Sequence, residues 1–581
     1  MRKAVRSAVS AVLSLALVLT LALCAGAAPA KEGLKILVAS DIHYRPPSSL
    51  GPLPRAGTRS ENPILSAFPH AHTTGKMHYE TDAILDVFFR KAEASGAQYL
   101  LISGDVSDDG HWEEHREIAK KLREFEKRSG IQVFVTPGNH DIRTSASGGR
   151  LDLKDFLELY AELGYDKALA RREGDASYTA ELGQGYRLLV VDAMVYREDA
   201  SKITPELFGW IQAQLEQARK DGRKVIFMTH ENVLEHFMIE GFTSGLLCID
   251  QHRKLATMLA DAGVKYAFTG HQHANDISHA VTEAGNHIFD IETGSLITHP
   301  CAWREVTFSD DSVKIETKFV KTIDPALLPQ GFSKEQIKRM QDDFTSYSFD
   351  FMRAGFQKFG DEIAWLTDKI ADPLKLPKDG AAYEVVEAMV GALQQSVRLP
   401  MYGKTGSVEE IARRGGVELP PSKYYNLLDL AGAVYAGHFA GNENYSMDSL
   451  ELRLVRQAIN AVLLSVLKEM PVQAADALLA ATGLPGLRVP SLDMLLTPAA
   501  RGIYRQTAAK YFTQELLRTL GEGIFTDWST PDDLNATLEP YAARWEIPGR
   551  AVKITELSFW LDRVWRLCMV AVNGMRDMAG L

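Results

Sequence analysis

Five times in the first 275 residues a short apolar run ends in aspartate, asparagine or histidine instead of an ordinary turn. Lys35 to Ser40 leads into Asp41-Ile42-His43, and Leu100-Leu101-Ile102 into Ser103-Gly104-Asp105-Val106-Ser107-Asp108-Asp109-Gly110. Ile131 to Thr136 ends in Pro137-Gly138-Asn139-His140-Asp141, Val225 to Met228 in Thr229-His230, and Tyr266 to Thr269 in Gly270-His271-Gln272-His273. Short apolar runs closed by turn residues read as buried strands. Open α/β sheets bind ligands outside the carboxyl ends of such strands. The pattern limits the chain to a fold in which several buried strands stop at one edge and their loops gather there.

Those loops carry Asp41, His43, Asp105, Asn139, His230, His271 and His273. Residues two apart on an extended chain point the same way, so Asp41 and His43 can reach one ion together. Two carboxylates, one amide oxygen and four imidazoles, with no thiolate, suit manganese, iron or zinc, and are too rich in nitrogen for calcium or magnesium alone. Seven donors exceed one tetrahedral site but suit two ions roughly 3.5–4 Å apart. Asp105 is the natural bridge, because its two oxygens can each bind an ion. A hydroxide between two such ions is a nucleophile near neutral pH, since metal binding brings the pKa of water to about 7. Taken singly, each histidine is more simply structural; the set points to metal.

Asp41-x-His43, Gly104-Asp105-x-x-Asp108-x-Gly110, Gly138-Asn139-His140-Asp141, His230 and Gly270-His271-x-His273 together resemble the signature of the calcineurin-like metallophosphoesterase superfamily. The resemblance spans about Lys35 to Phe319. It implies two stacked β-sheets flanked by helices, a four-layer α-β-β-α sandwich. Carried over by motif, it implies one ion held by Asp41, His43, Asp105 and His273, and the other by Asp105, Asn139, His230 and His271. It leaves His140 off the metals, facing the phosphoryl oxygen and leaving group, with Asp108 pairing with it and orienting it. Asp141, where protein Ser/Thr phosphatases carry glutamate, looks more like the phosphodiesterase and sphingomyelinase-like branches. The implied reaction is hydrolysis of a phosphodiester or pyrophosphate in a small molecule or lipid headgroup. A phosphomonoesterase of acid-phosphatase type is the second reading. A non-catalytic, metal-stabilised surface-binding protein is the rival class.

The remaining organisation follows from composition. A chain of 581 residues is too long for one core. Arg2, Lys3 and Arg6 precede an apolar stretch from Ala8 to Cys24 and a small-residue tract at 25–30, which reads as a secretory signal peptide over 1–30. Lipid attachment at Cys24 is the lesser option, because Leu23 precedes it. Removing the leader takes the formal charge from −11 to −14. Such a chain does not attract polyanions through its overall field, so nucleic acid is not an expected partner. Cys248, Cys301 and Cys568 make no disulfide framework and leave room for one bridge.

Strand and helix signals alternate through 31–324, the expected catalytic domain. Within it, 44–80 is a proline-rich insertion leaving the ligand edge, read as a flap. Its His70, His72 and His78 are substrate-contact candidates, each more simply a solvated loop histidine. Beyond 324 strand signals nearly vanish. Stripes such as Val455, Ala458, Ile459, Val462, Leu463, Val466 and Leu467, or Leu557 to Cys568, predict a mostly α-helical domain over 325–581 with no transmembrane segment.

Overall fold

The computed structural model describes residues 33–54, 62–143, 149–236 except 197 and 199, 240, 247–309, 312–360, 364, 367–368, 378–441, 445, 448–469, 532–538 and 552–553. The expected leader and the 557–568 stripe lie outside these residues.

The apolar runs form two sheets. In the first, β1 (Lys35–Ala39), β2 (Tyr99–Ile102) and β3 (Gln132–Val135) run parallel, with Ala39 opposite Ile102 and Ile102 opposite Val135. This register ends all three strands level, which brings Asp41, Asp105 and Asn139 to one rim. Asp41 N–H donates to the Gly104 carbonyl (3.1 Å), and His43 N–H to that of Asp105 (2.9 Å). Antiparallel β13 (Ala302–Phe308) and β14 (Val313–Phe319) extend the sheet beyond β1.

The second sheet contains β6 (Tyr186–Val190), β9 (Lys224–Met228), β10 (Tyr266–Thr269) and β12 (His287–Glu292), parallel neighbours in the order β12-β10-β9-β6. The level ends of β9 and β10 deliver His230 and His271 side by side, with Gly270 N–H donating to the His230 carbonyl (2.9 Å). The alternation of a strand then sorts side chains. Leu188, Val190, Ile226 and Met228 enter a core shared with Leu37, Leu101 and Phe134 of the first sheet. Leu189, Val191 and Phe227 face the other way, onto helices Pro205–Lys220 and His252–Asp261.

The first of those helices starts where the sequence predicts. Thr204 caps it by accepting from Leu207 N–H (3.2 Å), and Pro205 occupies the first turn. Its Leu207, Ile211 and Leu215 are buried against the sheet, each contributing about 1.5–3 kcal/mol by leaving water.

Two features depart from the sequence reading. The boundary at 324 marks the end of the consecutive strands, not of the core. Met340 of helix Lys334–Asp342, and Phe344, Tyr347, Phe351 and Ala354 of helix Phe344–Phe359, are buried in the inter-sheet core together with Phe68, Ala71 and Met77 of the flap. The second departure is at Asn535–Leu538, in the stretch read as helical. It pairs antiparallel with β14, so that Ala536 and Leu538 are buried while Asn535 and Thr537 are exposed. Four residues carry too weak a pattern to be read alone; the free edge of β14 makes them a strand.

The helices between 381 and 469 pack on one another. Arg353 holds helix Leu427–Ala440 to helix Phe344–Phe359 by donating from Nε and Nη2 to the two carboxylate oxygens of buried Asp429 (2.6 and 2.9 Å). In helix Leu450–Glu469, Ala458 is buried and Val455 packs against the same cluster. Cys248 and Cys301 are both buried and free. No helix among the described residues is long and apolar enough to cross a membrane.

Candidate metal centre

All seven side chains that the sequence proposes as ligands meet at the common rim of the sheets. On one side, His43 Nε2 lies 3.0 Å from His273 Nε2 and 3.7 Å from Asp41 Oδ1, and His273 Nε2 lies 3.4 Å from the same oxygen. On the other, Asn139 Oδ1 is 3.1 Å from both His230 Nε2 and His271 Nδ1, which are 3.2 Å from each other. Asp105 stands between the groups, its Oδ2 at 3.6 Å from His43 Nε2 and 3.3 Å from His230 Nε2. Asp41, His43, Asp105 and His230 are buried, whereas Asn139, His140, His271 and His273 are half-buried and form the open side.

The backbone is bent to make this possible. Asp41 (φ 50°), His43 (42°), Asp105 (48°), His271 (76°) and His273 (65°) all adopt left-handed conformations. For residues with a Cβ these cost of order 1–3 kcal/mol each, and they persist where the surroundings over-determine them. Two glycines let the loops close in. A Cβ on Gly270 would stand 2.6 Å from Asp41 Oδ2, and one on Gly138 would stand 2.7 Å from His230 Cδ2.

The donor set fits cations and little else. His230 Nδ1 donates to the Ser103 carbonyl (2.8 Å), so in the neutral ring Nε2 is a bare lone pair. That lone pair, Asn139 Oδ1 and Asp105 Oδ2 are then three acceptors converging with no hydrogen among them. Asp41 Oδ1 is likewise buried without a hydrogen-bond partner, while Oδ2 accepts from His271 N–H (2.9 Å) and Ser40 Oγ (2.6 Å). Burial pushes the Asp41 and Asp105 carboxyls up, but the facing imidazoles outweigh it and hold both well below the usual range. Burial and the Lys76 ammonium hold His43 well below the ordinary imidazole value, which keeps its ring neutral. At His230 burial acts in the same direction, but Asp105 outweighs it and pushes the ring up, so this ring carries a proton unless a cation takes its place. The groups Asp41/His43/His273 and Asp105/His230/His271 form a candidate dinuclear site, and two ions of the manganese, iron or zinc type match their chemistry.

His140 stands beside the centre, its ring edge-on to His43 with centroids 4.8 Å apart. Its backbone N–H donates to Asp105 Oδ1 (2.9 Å), which fixes the shared carboxylate. Its Nδ1 bonds the main-chain carbonyl of Asp108 (2.5 Å). Asp108 thus pairs with His140 through its main chain, and its carboxylate turns elsewhere. That carboxylate accepts from Lys76 Nζ (3.1 Å) and lies 3.7 Å from His43 Nδ1 and 3.6 Å from His78 Nε2. The cause is local, since the turn after Asp105 points the Asp108 carbonyl at the imidazole and its side chain at the flap. Burial raises the Asp108 carboxyl, but His78 and Lys76 outweigh it and hold the group ionised. Asp141 ties the loops together by accepting from the backbone N–H groups of Val106 (3.1 Å), Ser107 (2.8 Å) and Gly138 (2.9 Å).

The flap histidines separate. His70 is buried, 3.1 Å from Glu80 Oε1 and 3.3 Å from the Tyr347 hydroxyl, so it is not a solvated loop histidine. His72 is exposed beside Thr74 (2.7 Å). His78 is buried against Asp108. Sequence reasoning missed Lys76, whose Nζ reaches 3.0 Å from His43 Nδ1; its place in a histidine-rich loop was the available signal. The C-terminal end of helix Leu427–Ala440 also reaches the site. Phe439 packs edge-on to His273 at 5.8 Å, and its carbonyl accepts from Asn275 Nδ2 (2.8 Å).

Residues 34–275 match the family model described as calcineurin-like phosphoesterase. No curated protein sequence matches the chain. Similar solved structures include a dimetal phosphatase from Danio rerio, 12% identical, covering 50% of this chain and 97% of that one with a TM-score of 0.36. The purple acid phosphatase PPD1 from yellow lupin (Lupinus luteus) seeds is 11% identical, with 50% and 52% covered and a TM-score of 0.32. PhoD is 9% identical, with 56% and 77% covered and a TM-score of 0.32.

Proposed function

Because residues 34–275 belong to the calcineurin-like phosphoesterase family, we propose that this chain is an exported enzyme whose dinuclear metal centre hydrolyses a phosphodiester or pyrophosphate bond. The observation that carries this is Asp105. Its Oδ2 lies 3.6 Å from His43 Nε2 in one donor group and 3.3 Å from His230 Nε2 in the other, as a bridging carboxylate requires.

Asp41, His43, Asp105 and His273 would hold one ion and Asp105, Asn139, His230 and His271 the other, and such ions would supply Lewis acidity and activate water for attack. The chain's own residues do the rest. Asp41 and Asp105 balance the cationic charge. His140, its Nδ1 committed to the Asp108 carbonyl, keeps Nε2 free on the open side to hold a proton for a phosphoryl oxygen or a leaving alcohol. Phe439 and the half-buried His273 narrow one wall, so the helical part of the chain helps to shape the substrate entrance. Asp141 after Gly138-Asn139-His140 supports a diester over a monoester, and the apolar leader supports export.

The test is purified protein with added Mn²⁺ against bis-p-nitrophenyl phosphate and p-nitrophenyl phosphate. The reading expects turnover, faster with the diester. Faster monoester turnover would make the enzyme a phosphomonoesterase. No turnover of either by metal-loaded protein would leave a metal-stabilised binding protein.

A further inference from the structure

We propose that a cavity under the flap, on the outer side of His43, is an anion subsite that receives a second phosphoryl group of the substrate. The proposal rests on the phosphoesterase reading above and narrows its substrate class. The cavity has a volume of about 270 Å³, and its lining includes Arg45, His72, Lys76, His78 and Lys358. No carboxylate lines it among the described residues, although the chain carries a formal charge of −11.

His78 is the independent observation. It is 8% exposed, and neither ring nitrogen has a hydrogen-bond partner. Asp108 Oδ2, 3.6 Å from Nε2, is beyond hydrogen-bond reach. A buried donor left unmatched is costly, and an anion's oxygens in the cavity supply the missing acceptor. Arg45 Nε is in the same state, with Glu114 Oε1 at 3.7 Å, while Arg45 Nη1 is 3.9 Å from Asp108 Oδ2. Lys358 contributes charge and one remaining N–H, since its Nζ donates to the carbonyls of Pro69 (3.1 Å) and Ala71 (2.5 Å).

Lys76 connects the cavity to the centre. A neutral His43 that presents Nε2 to an ion carries its proton on Nδ1. It then cannot accept from Lys76 Nζ at 3.0 Å, and Nδ1–H faces the Asp108 carboxylate at 3.7 Å. The lysine's hydrogens are left for Asp108 and the cavity. A scissile phosphate at the metals and a second one in the cavity would thus lie on the two sides of the His43 ring.

Two measurements test this. The first titrates full-length, chelator-stripped protein with inorganic pyrophosphate by calorimetry. Binding should weaken about tenfold or more in Arg45→Ala and in His78→Phe, the loss expected for a charge-assisted hydrogen bond. No binding to folded wild-type protein, or binding undiminished in both variants, overturns the subsite. Half-exposed Arg45 gives a reading even where His78→Phe fails to fold. The second compares, with Mn²⁺ present, the p-nitrophenyl ester of thymidine 5′-phosphate with its 3′-phosphorylated counterpart. The extra phosphoryl group should raise kcat/KM about tenfold in wild type, and that advantage should shrink toward one in Arg45→Ala. Equal kcat/KM for the two esters in wild type overturns the proposal. Loss of turnover with both esters refutes the phosphoesterase reading instead, and the pyrophosphate titration still decides whether the cavity binds anions.

Discussion

His140 Nδ1 lies 2.5 Å from the main-chain carbonyl oxygen of Asp108, while the Asp108 carboxylate turns to Lys76 Nζ at 3.1 Å. One residue therefore orients the imidazole through its backbone and the flap through its side chain, and the two roles are separable by mutation.

The backbone role makes His140 independent of the metals. His140→Ala removes a ring outside the seven-ligand set and leaves its backbone N–H on Asp105 Oδ1. The variant should keep both metals and lose about 10²- to 10⁴-fold in kcat. Metal analysis alongside steady-state kinetics checks this. Loss of metal in step with activity would put His140 among the ligands.

The side-chain role concerns His43. The Asp108 carboxylate, 3.7 Å from His43 Nδ1, faces the proton that a metal-bound His43 would carry there and favours it by its charge. Asp108→Ala should lower metal affinity about 10- to 100-fold, as loss of such partners does. It should leave kcat of the saturated enzyme closer to wild type than His140→Ala does. Competition with a chelator measures the affinity. An affinity equal to wild type would mean that His43 is held by its neighbours alone.

Close approach sets the third prediction. Gly270→Ala places a methyl group 2.6 Å from Asp41 Oδ2, far inside van der Waals contact. The variant should bind less than two metals per chain and melt several degrees lower. Gly263→Ala is the control for a surface turn, since a Cβ there would meet no atom within 4 Å and only its left-handed φ is strained. Equal effects from the two would show that crowding at Asp41 is not what Gly270 relieves, since Gly270 itself has no left-handed φ.

These loops also show what a sequence can disclose. Strand-end loops carry their pattern locally, so the convergence of Asp41, Asp105, Asn139, His230 and His271 could be read from apolar runs and the residues that stop them. The left-handed turns that aim Asp41, His43 and Asp105 could not, because aspartate and histidine in a loop do not announce a positive φ. The choice between the carbonyl and the carboxylate of Asp108 depends on a turn geometry that only the assembled rim fixes. Lys76 becomes meaningful only once the flap is pressed onto His43 by helix Phe344–Phe359. There Gly355 approaches the His72 carbonyl so closely that a Cβ would clash. That packing spans almost 300 residues of chain and leaves no local trace.

Acid stability is the fourth prediction. Burial holds the His299 imidazole down to about 4, with the Asp350 carboxylate offsetting part of the effect. Its Nδ1 is 2.9 Å from Ser348 Oγ. An unfolded histidine takes its proton near 6.5. Between pH 6.5 and 4 the unfolded chain therefore binds one more proton at this residue, so stability present above pH 6.5 is lost as pH falls. The loss is about 1.4 kcal/mol per pH unit at most. Between pH 7 and 5, urea unfolding should lose about 2 kcal/mol less in His299→Gln than in the parent. Parallel pH profiles would show that the ring is already charged in the folded state.

Counting the metal ions in the active protein tests the dinuclear centre most directly. Elemental analysis should find two per chain, falling toward one in His271→Ala, with turnover following occupancy of both positions. A fully active protein carrying one ion or none would contradict the view that Asp105 joins two cations at the rim of the sheets.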